Sequence, residues 1–437
     1  MLGMLTRTLF ASGYGGQIYS LSFNPTIPSL SISSTVAAGS APTWLTLHPT
    51  QPILYTGDEF SSPHGTLTTF EIQNGDALRQ VGSHANSKEG PVHFALSPDT
   101  KQLFSACYSA GALSTTKLLE DGKFADPTEK EGRGQNYVYG GKGQNPDRQE
   151  GPHAHGVAID PTGQYLFCTD LGTDQVHVYH IKPTRIDFVT SLAATRGSGP
   201  RHLVFSQTAS RTLFYLVEEL SNTVSIYEIT YPDPKIDDDS EVKPNPEQDT
   251  PMPLAPTEPT PGPATLDAPP EPGSELPGPG YYRPKPETVA PVPKSILLTI
   301  NPVQLNISTL PANASEIAAG DWTAAELELS HDRRFLYVSN RAPVEPNLPE
   351  SDYLTIFSLD GDGKIVEAET SHFALGGVGP RDFMSSPKSG DEEQGKYVAV
   401  AFQRTNEVVV YSVDGKNITE VTRVKGIEGA TAVVWRS

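Results

Sequence analysis

Short apolar runs recur in pairs along most of the chain, each pair joined by a turn of Pro, Gly, Asp or Ser. The clearest copy is Gly151-Pro-His-Ala-His-Gly-Val-Ala-Ile-Asp-Pro-Thr-Gly-Gln-Tyr-Leu-Phe-Cys-Thr-Asp170. It predicts a strand from Val157 to Ile159, a turn at Asp160, Pro161 and Gly163, and a second strand from Tyr165 to Cys168. Pro and Gly set the turn dihedrals, and the β-branched and aromatic residues on either side favour a pleated backbone. The pattern returns at Thr43-Trp-Leu-Thr-Leu-His-Pro49, Pro91-Val-His-Phe-Ala-Leu-Ser-Pro98, Pro200-Arg-His-Leu-Val-Phe-Ser206, Ala324-Ala-Glu-Leu-Glu-Leu-Ser330 and Pro380-Arg-Asp-Phe-Met384. A third strand often follows, as in Gln175-Val-His-Val-Tyr179 and Glu407-Val-Val-Val-Tyr411.

Most of these starts lie roughly 45 to 65 residues apart, the spacing of a four-stranded propeller blade. Six units are visible. Ala432-Val-Val-Trp435 reads as an innermost strand, and Arg7–Ser12 and Gln17–Ser22 read as outer strands without an inner one. Joined, they make a seventh blade that closes the ring and leaves no open sheet edge. The expected fold is therefore all-β: one seven-bladed β-propeller domain, residues 1–437, of four-stranded antiparallel blades, with the terminal strands sharing a blade.

Two stretches break the pattern. Residues 122–151 are polar and glycine-rich, contribute an outer strand near Tyr137–Tyr139, and then form a long loop leading into His153 and His155. Such a loop commonly delivers groups to a site. Residues 231–294 are dominated by proline and acids, with too little apolar surface to offset the entropy of ordering. They are expected to be a disordered insertion in blade four, whose last strand resumes near Ile296–Leu305. Proline-rich segments are also ligands for SH3 and WW modules, so a weak contact of that kind is the one protein partner suggested.

Charge narrows the partners. The 437 residues carry 32 Lys and Arg against 52 Asp and Glu, a net charge of −20. That field repels nucleic acid and anionic membranes, and an anionic ligand would need a local arginine cluster. Met1-Leu-Gly-Met-Leu-Thr-Arg7 has no apolar run resembling a signal peptide, which points to a cytoplasmic setting. Cys107 and Cys168 read as buried thiols, and the sequons at Asn306, Asn313 and Asn417 as chance matches. No metal-ligand spacing or cofactor motif is present.

Strands within a blade are antiparallel, so the start of strand one and the end of strand two share a face of the disc. Reading those positions gathers His155, Arg201 and Arg381 from strand starts. From strand ends come Asp170, Glu219, Asn340 with Arg341, and Gln403 with Arg404. Arginines bind carboxylate or phosphate through paired donors, and a histidine transfers protons near neutral pH. His153, His202 and Glu218 fall out of alternation and are expected to be structural.

Asn145-Pro-Asp-Arg-Gln-Glu-Gly-Pro-His-Ala-His155, Asp170-Leu-Gly-Thr-Asp174, Gly199-Pro-Arg-His202, Glu219-Leu-Ser-Asn-Thr-Val224, Thr323-Ala-Ala-Glu326, Ser339-Asn-Arg341 and Gly379-Pro-Arg-Asp382 together resemble the seven-bladed propeller lactonase family. That family holds 6-phosphogluconolactonases and 3-carboxy-cis,cis-muconate lactonizing enzymes. The resemblance implies catalysis by His155, Arg201, Glu219 and Arg341, and the strand-end positions add Arg381, Asp170, Asn340 and Gln403 as expected contacts to a small anionic lactone or carboxylate. It implies hydrolysis of a sugar-type lactone such as 6-phosphogluconolactone, with His155 or Glu219 activating water. The alternatives are cycloisomerisation of carboxymuconate and a non-catalytic scaffold of the WD40 kind. Against the scaffold, no Gly-His or Trp-Asp blade signature is present.

Overall fold

The computed structural model describes residues 6–126, 128, 134–208, 211–232, 241–242, 292–293, 297–314, 322–343, 351–388 and 394–436. Within residues 1–231 and 298–437, seven four-stranded antiparallel sheets form the predicted propeller. The innermost strands are Pro42–Leu47, Pro91–Leu96, Ala154–Ile159, Pro200–Gln207, Thr323–Leu329, Pro380–Ser385 and Ala430–Trp435. Each packs against the next, and the last against the first. The seventh sheet runs from Ala430–Trp435 outward through Arg7–Gly13, Gln17–Asn24 and Ser29–Ala37, so the two ends of the chain do share a blade. Leu9 pairs with Trp435 and Ala11 with Val433 across the closing ladder. Trp435 Nε1 donates to the Met384 carbonyl of blade six at 2.9 Å.

The core lies between blades, where alternate residues of neighbouring sheets interdigitate. Phe104, Ala106 and Leu113 of blade two pack on Val157, Leu166 and Cys168 of blade three; Leu9, Ala11 and Leu21 of blade seven pack on Ala399, Ala401 and Val410 of blade six. Cys107 and Cys168 are buried and free. The turn between strands one and two is held the same way in several blades. Asp160 Oδ1 accepts the Gln164 and Tyr165 amides, Ser97 Oγ that of Gln102, and Ser330 Oγ that of Phe335. Gly163 has φ +73°, the left-handed conformation its turn requires.

One feature of the inner strands was not legible as alternation. Near its entry, every one of the seven breaks register against strand two, with unpaired residues at Thr43 and Trp44, Val92, His155, Arg201, Ala325 and Glu326, Arg381 and Thr431. A bulge re-aims side chains and bends the strand. At Val92, His155 and Arg381 the unpaired residue is one that borders the cavity described below.

In blade four the third strand, Thr223–Thr230, pairs with a fourth at Thr299–Ser308, a few residues later than the sequence suggests. The expected disorder of 231–294 falls mostly on residues outside the described set. The intervening unit, residues 232–297, contributes one described ladder, Glu241–Val242 with Val292–Pro293. Among the described residues no helix is long and apolar enough to cross a membrane.

Candidate active site

A cavity of about 610 Å³ opens where the inner strands begin and the second strands end. It is lined by His155, Glu219, Arg341, Arg381, Gln403 and Arg404, all positions read from the sequence, and by Glu59, Tyr108, Asn145 and Arg148. Glu219 organises the wall. Arg148 Nη2 donates to its Oε1 at 2.8 Å, and Arg341 Nη2 stands 3.2 Å from Oε2. Arg201 Nε lies 3.0 Å from the same Oε2, close enough for an ion pair although off-line for a hydrogen bond. Glu219 is 3 % exposed. Burial alone would raise its pKa, but Arg341, Arg201 and Arg148 overcome that and hold it at about 2. A carboxylate so bound is a fixed anion that orders guanidiniums, not a base.

Arg201 is placed beneath the cavity rather than in its lining. It is 1 % exposed, and its Nη1 donates to the Ala325 carbonyl at 2.6 Å. Its reach to a ligand, expected from the sequence, is corrected to support of Glu219 from below. Arg341 donates to the Ala324 carbonyl at 3.1 Å and still borders the cavity. Burial lowers its pKa to about 10 despite Glu219, so it remains cationic at neutral pH. Arg381 lies over the Tyr14 ring, 3.7 Å from Glu59.

Two expected ligand contacts are not brought to the cavity. Asp170 is fully buried, and its carboxylate accepts the His153 and Gly172 amides and the Thr173 hydroxyl. Asn340 is fully buried as well, bonded to Thr309 and Thr355 between strands. Asp170 holds the loop that leads into His153, and Asn340 ties its strand to Thr309 and Thr355. His153 stacks on Tyr108 and bonds Glu150, and Glu218 accepts the Thr223 and Ser225 hydroxyls. Neither lines the cavity.

Sequence reasoning missed Arg148, His202 and Glu326. Arg148 arrives on the long loop of residues 122–151, within which the sequence points to no single residue. The loop is pinned by Asn145 Oδ1, which accepts the Asp147 and Arg148 amides, and by Gln149, whose amide donates to Leu171 and Asp174. The polar cluster Asn145 to Gln149 was the available signal. His202 was set aside on alternation, which the bulge at Arg201 abolishes. Its Nε2 lies 3.2 Å from His155 Nδ1, and its Nδ1 2.7 Å from Glu326 Oε2. Burial, with Arg201 and the neighbouring histidine, holds the pKa of His155 well below the usual imidazole range. Neutral His155 thus keeps Nδ1 against His202, leaving Nε2 as the nitrogen for a ligand. Among the described residues no His, Cys, Asp and Glu set is arranged to hold a metal.

The cavity sets Arg148, Arg341, Arg381 and Arg404 around one space with a neutral histidine. Comparison with known proteins gives the family. The chain is 27% identical over 224 residues to the "probable 6-phosphogluconolactonase" of Arthroderma benhamiae, covering 51% of this chain and 55% of that one. It is 26% identical over 216 residues to the 6-phosphogluconolactonase of Bacillus subtilis, covering 49% and 59%. It therefore spans a little over half the length of these relatives. Among solved structures, the periplasmic gluconolactonase PpgL of Pseudomonas aeruginosa superposes with a TM-score of 0.69 at 22% identity, over 99% of both chains. A Lactobacillus plantarum protein superposes with a TM-score of 0.70 at 21% identity, over 99% of this chain and all of that one. These likenesses concern the fold. The model of the seven-bladed β-propeller lactonases matches residues 2–251 and 299–435, and the chain belongs to that family.

Proposed function

We propose that the protein hydrolyses a sugar-type lactone bearing an anionic group, 6-phosphogluconolactone being the leading candidate. The observation that carries the reading is a neutral histidine at a wall of four arginines, where Glu219 is already committed to ion pairs. A neutral imidazole has a lone pair free to take a proton, and histidine is the side chain most often used for that step. Water gives its proton to His155 Nε2 as its oxygen attacks the ring carbonyl. Arg341 and Arg381 stabilise the oxyanion, since fixed cations in a desolvated site act on charge as it forms. The ring C–O bond then breaks, and the leaving alkoxide takes the proton from His155, giving the open hydroxy acid. Arg148 and Arg404 hold the substrate's own anion, and the paired donors of their guanidinium planes suit phosphate or carboxylate. A pH-stat assay against 6-phosphogluconolactone, gluconolactone and 3-carboxymuconate tests this. Fastest turnover of the phosphorylated lactone is expected. Turnover of carboxymuconate alone would replace hydrolysis by cycloisomerisation, and inertness toward all three would reject catalysis on these classes.

A further inference from the structure

Below the cavity, the bulges of three successive blades bring a line of buried titratable groups to the axis. His155 comes from blade three, His202 from blade four and Glu326 from blade five. The three are 5 %, 3 % and 7 % exposed. Their bonds run in one direction. Glu326 Oε1 accepts the Leu327 amide at 3.0 Å, and its Oε2 stands 2.7 Å from His202 Nδ1. A carboxylate only accepts, so His202 carries its proton on Nδ1 and offers the lone pair of Nε2. That lone pair faces His155 Nδ1 at 3.2 Å, which must then carry the proton of its own ring. The His202 ring is held between neighbours and cannot swing away. His93 lies 4.4 Å from it and Trp44 5.4 Å, edge to face. Arg201 Nη1, a donor only, stands 3.3 Å from His202 Nδ1, but it already donates to the Ala325 carbonyl at 2.6 Å, and the shorter contact of that Nδ1, 2.7 Å to Glu326, sets the tautomer.

The end of the line needs an ionised Glu326, and two groups supply it. Arg201 Nη1 is 3.8 Å from Glu326 Oε2. Asp382, on blade six, is buried beside Glu326, and burial together with that neighbour's charge raises its pKa well above the usual carboxylate range. Burial raises Glu326 as well, to about 7. Two neighbouring buried carboxyls favour sharing one proton, and the line runs in the form that leaves it on Asp382. Asp382 Oδ2 accepts the Val433 amide of the closing strand at 2.8 Å, leaving Oδ1 for the proton.

We propose that Glu326 and His202 are positioning residues for the hydrolysis, fixing the proton of His155 on Nδ1 so that the lone pair of Nε2 faces the cavity. An isolated histidine side chain favours the Nε2–H tautomer, so without this line much of His155 would present a proton where a base is needed. The inference rests on the reading of His155 as the base, and it predicts a spectroscopic property that needs no substrate.

Two-bond proton–nitrogen correlations on the full chain labelled with 15N-histidine report the tautomer of each ring. At neutral pH, His155 and His202 are expected as the Nδ1–H form. Glu326→Gln, which can donate as well as accept, should mix the tautomers at both rings and lower kcat at least about tenfold while KM moves less than about twofold. His202→Gln keeps one donor and one acceptor in the line and should retain turnover within about tenfold. His202→Phe keeps the ring, loses both, and should fall about a hundredfold or more. Melting curves identify any variant that fails to fold, and the wild-type tautomer decides the matter in that case. Finding His155 as the Nε2–H form, or Glu326→Gln folded and turning over like wild type, would overturn the proposal. If the wild type hydrolyses no lactone, the functional reading falls and the tautomers alone judge the line.

Discussion

Three guanidiniums converge on the carboxylate of Glu219, and their dependence on it sets how the site responds to acid and to mutation. Its pKa of about 2 lies below the roughly 4.3 of an unfolded glutamate. Between those values the unfolded chain binds more protons than the folded one, so the stabilisation is present above about pH 4.3 and is lost as pH falls toward 2. Glu219→Gln should remove that part of the acid transition. It should also lower stability at neutral pH by about 3–5 kcal/mol, because buried arginines lose their counter-charge. Chemical denaturation of both forms from pH 7 to 3 measures both effects; equal stability at pH 7 would show that the arginines find other partners. His155 carries a second pH signature. Burial, with Arg201, His202, Arg381 and Arg341, keeps it neutral, so the His155 ring should show no 15N titration between pH 7.5 and 6. An unperturbed histidine, with pKa about 6.5, would be only about a quarter in base form at pH 6. A His155 titration centred near 6.5 would show that its surroundings do not hold it neutral. His155, Glu219, Arg341, Arg381 and Gln403 were legible in the sequence because strand ends meet at one face. Asp170 and Asn340 obeyed the same rule yet face inward, since position on a strand does not settle which way a terminal side chain turns.

The inner strands of blades three, four and five bring their polar groups together through a defect in pairing. Strict alternation would put Arg201 and His202 on opposite faces, and would separate His155 from His202. The breaks at Ala154/Gly156 and Pro200/His202 place both histidines and Arg201 at the axis. Nothing in the apolar pattern marks a bulge, which is why the sequence showed the strands and not the line of groups beneath the cavity. The Gly-Pro-Arg-His and Pro-His-Ala-His stretches marked Arg201 and His155 as site candidates but gave no sign that His202 joins them. Gly156 shows how tight the arrangement is. A Cβ there would lie 2.4 Å from the Arg201 carbonyl oxygen and 2.9 Å from Thr169 Oγ1, whose hydroxyl itself donates to that carbonyl. Gly156→Ala must push blades three and four apart, and overpacking of this kind costs about 1–3 kcal/mol. The expected result is a lower melting temperature together with a loss of turnover larger than the loss of folded protein at the assay temperature. Turnover and melting unchanged from wild type would mean the two strands separate freely at that point.

At the scale of the molecule, the ring is closed by a ladder between residues at opposite ends of the sequence, and that ladder reaches the site. Val433, on the closing strand, donates its amide to Asp382, and Trp435 bonds to blade six. Covalent continuity is not what closure needs. Arg436 N donates to the Thr8 carbonyl at 2.9 Å, so the end of the closing strand lies beside the start of its partner. Elsewhere, Thr230 pairs with Thr299 although 68 positions separate them in sequence. A chain joined from Ser437 to Met1 and opened within 243–291 would therefore keep every described ladder of the propeller. New ends are tolerated where little packing crosses them. This permutant is expected to melt within a few degrees of wild type and to retain turnover. A second chain, ending at Gly429, loses Ala430–Trp435 outright. It leaves Phe10, Leu9 and Phe23 without cover and the Arg7–Gly13 edge unpaired, and such edges recruit other chains. That truncation should aggregate or melt without cooperativity, as read by light scattering and calorimetry. If the permutant aggregated as the truncation does, the proline-rich region would be part of what holds the ring. If the truncation melted like the full chain, the ladder between the two ends would contribute nothing to closure, and the link from Val433 through Asp382 to Glu326 would lose its structural basis.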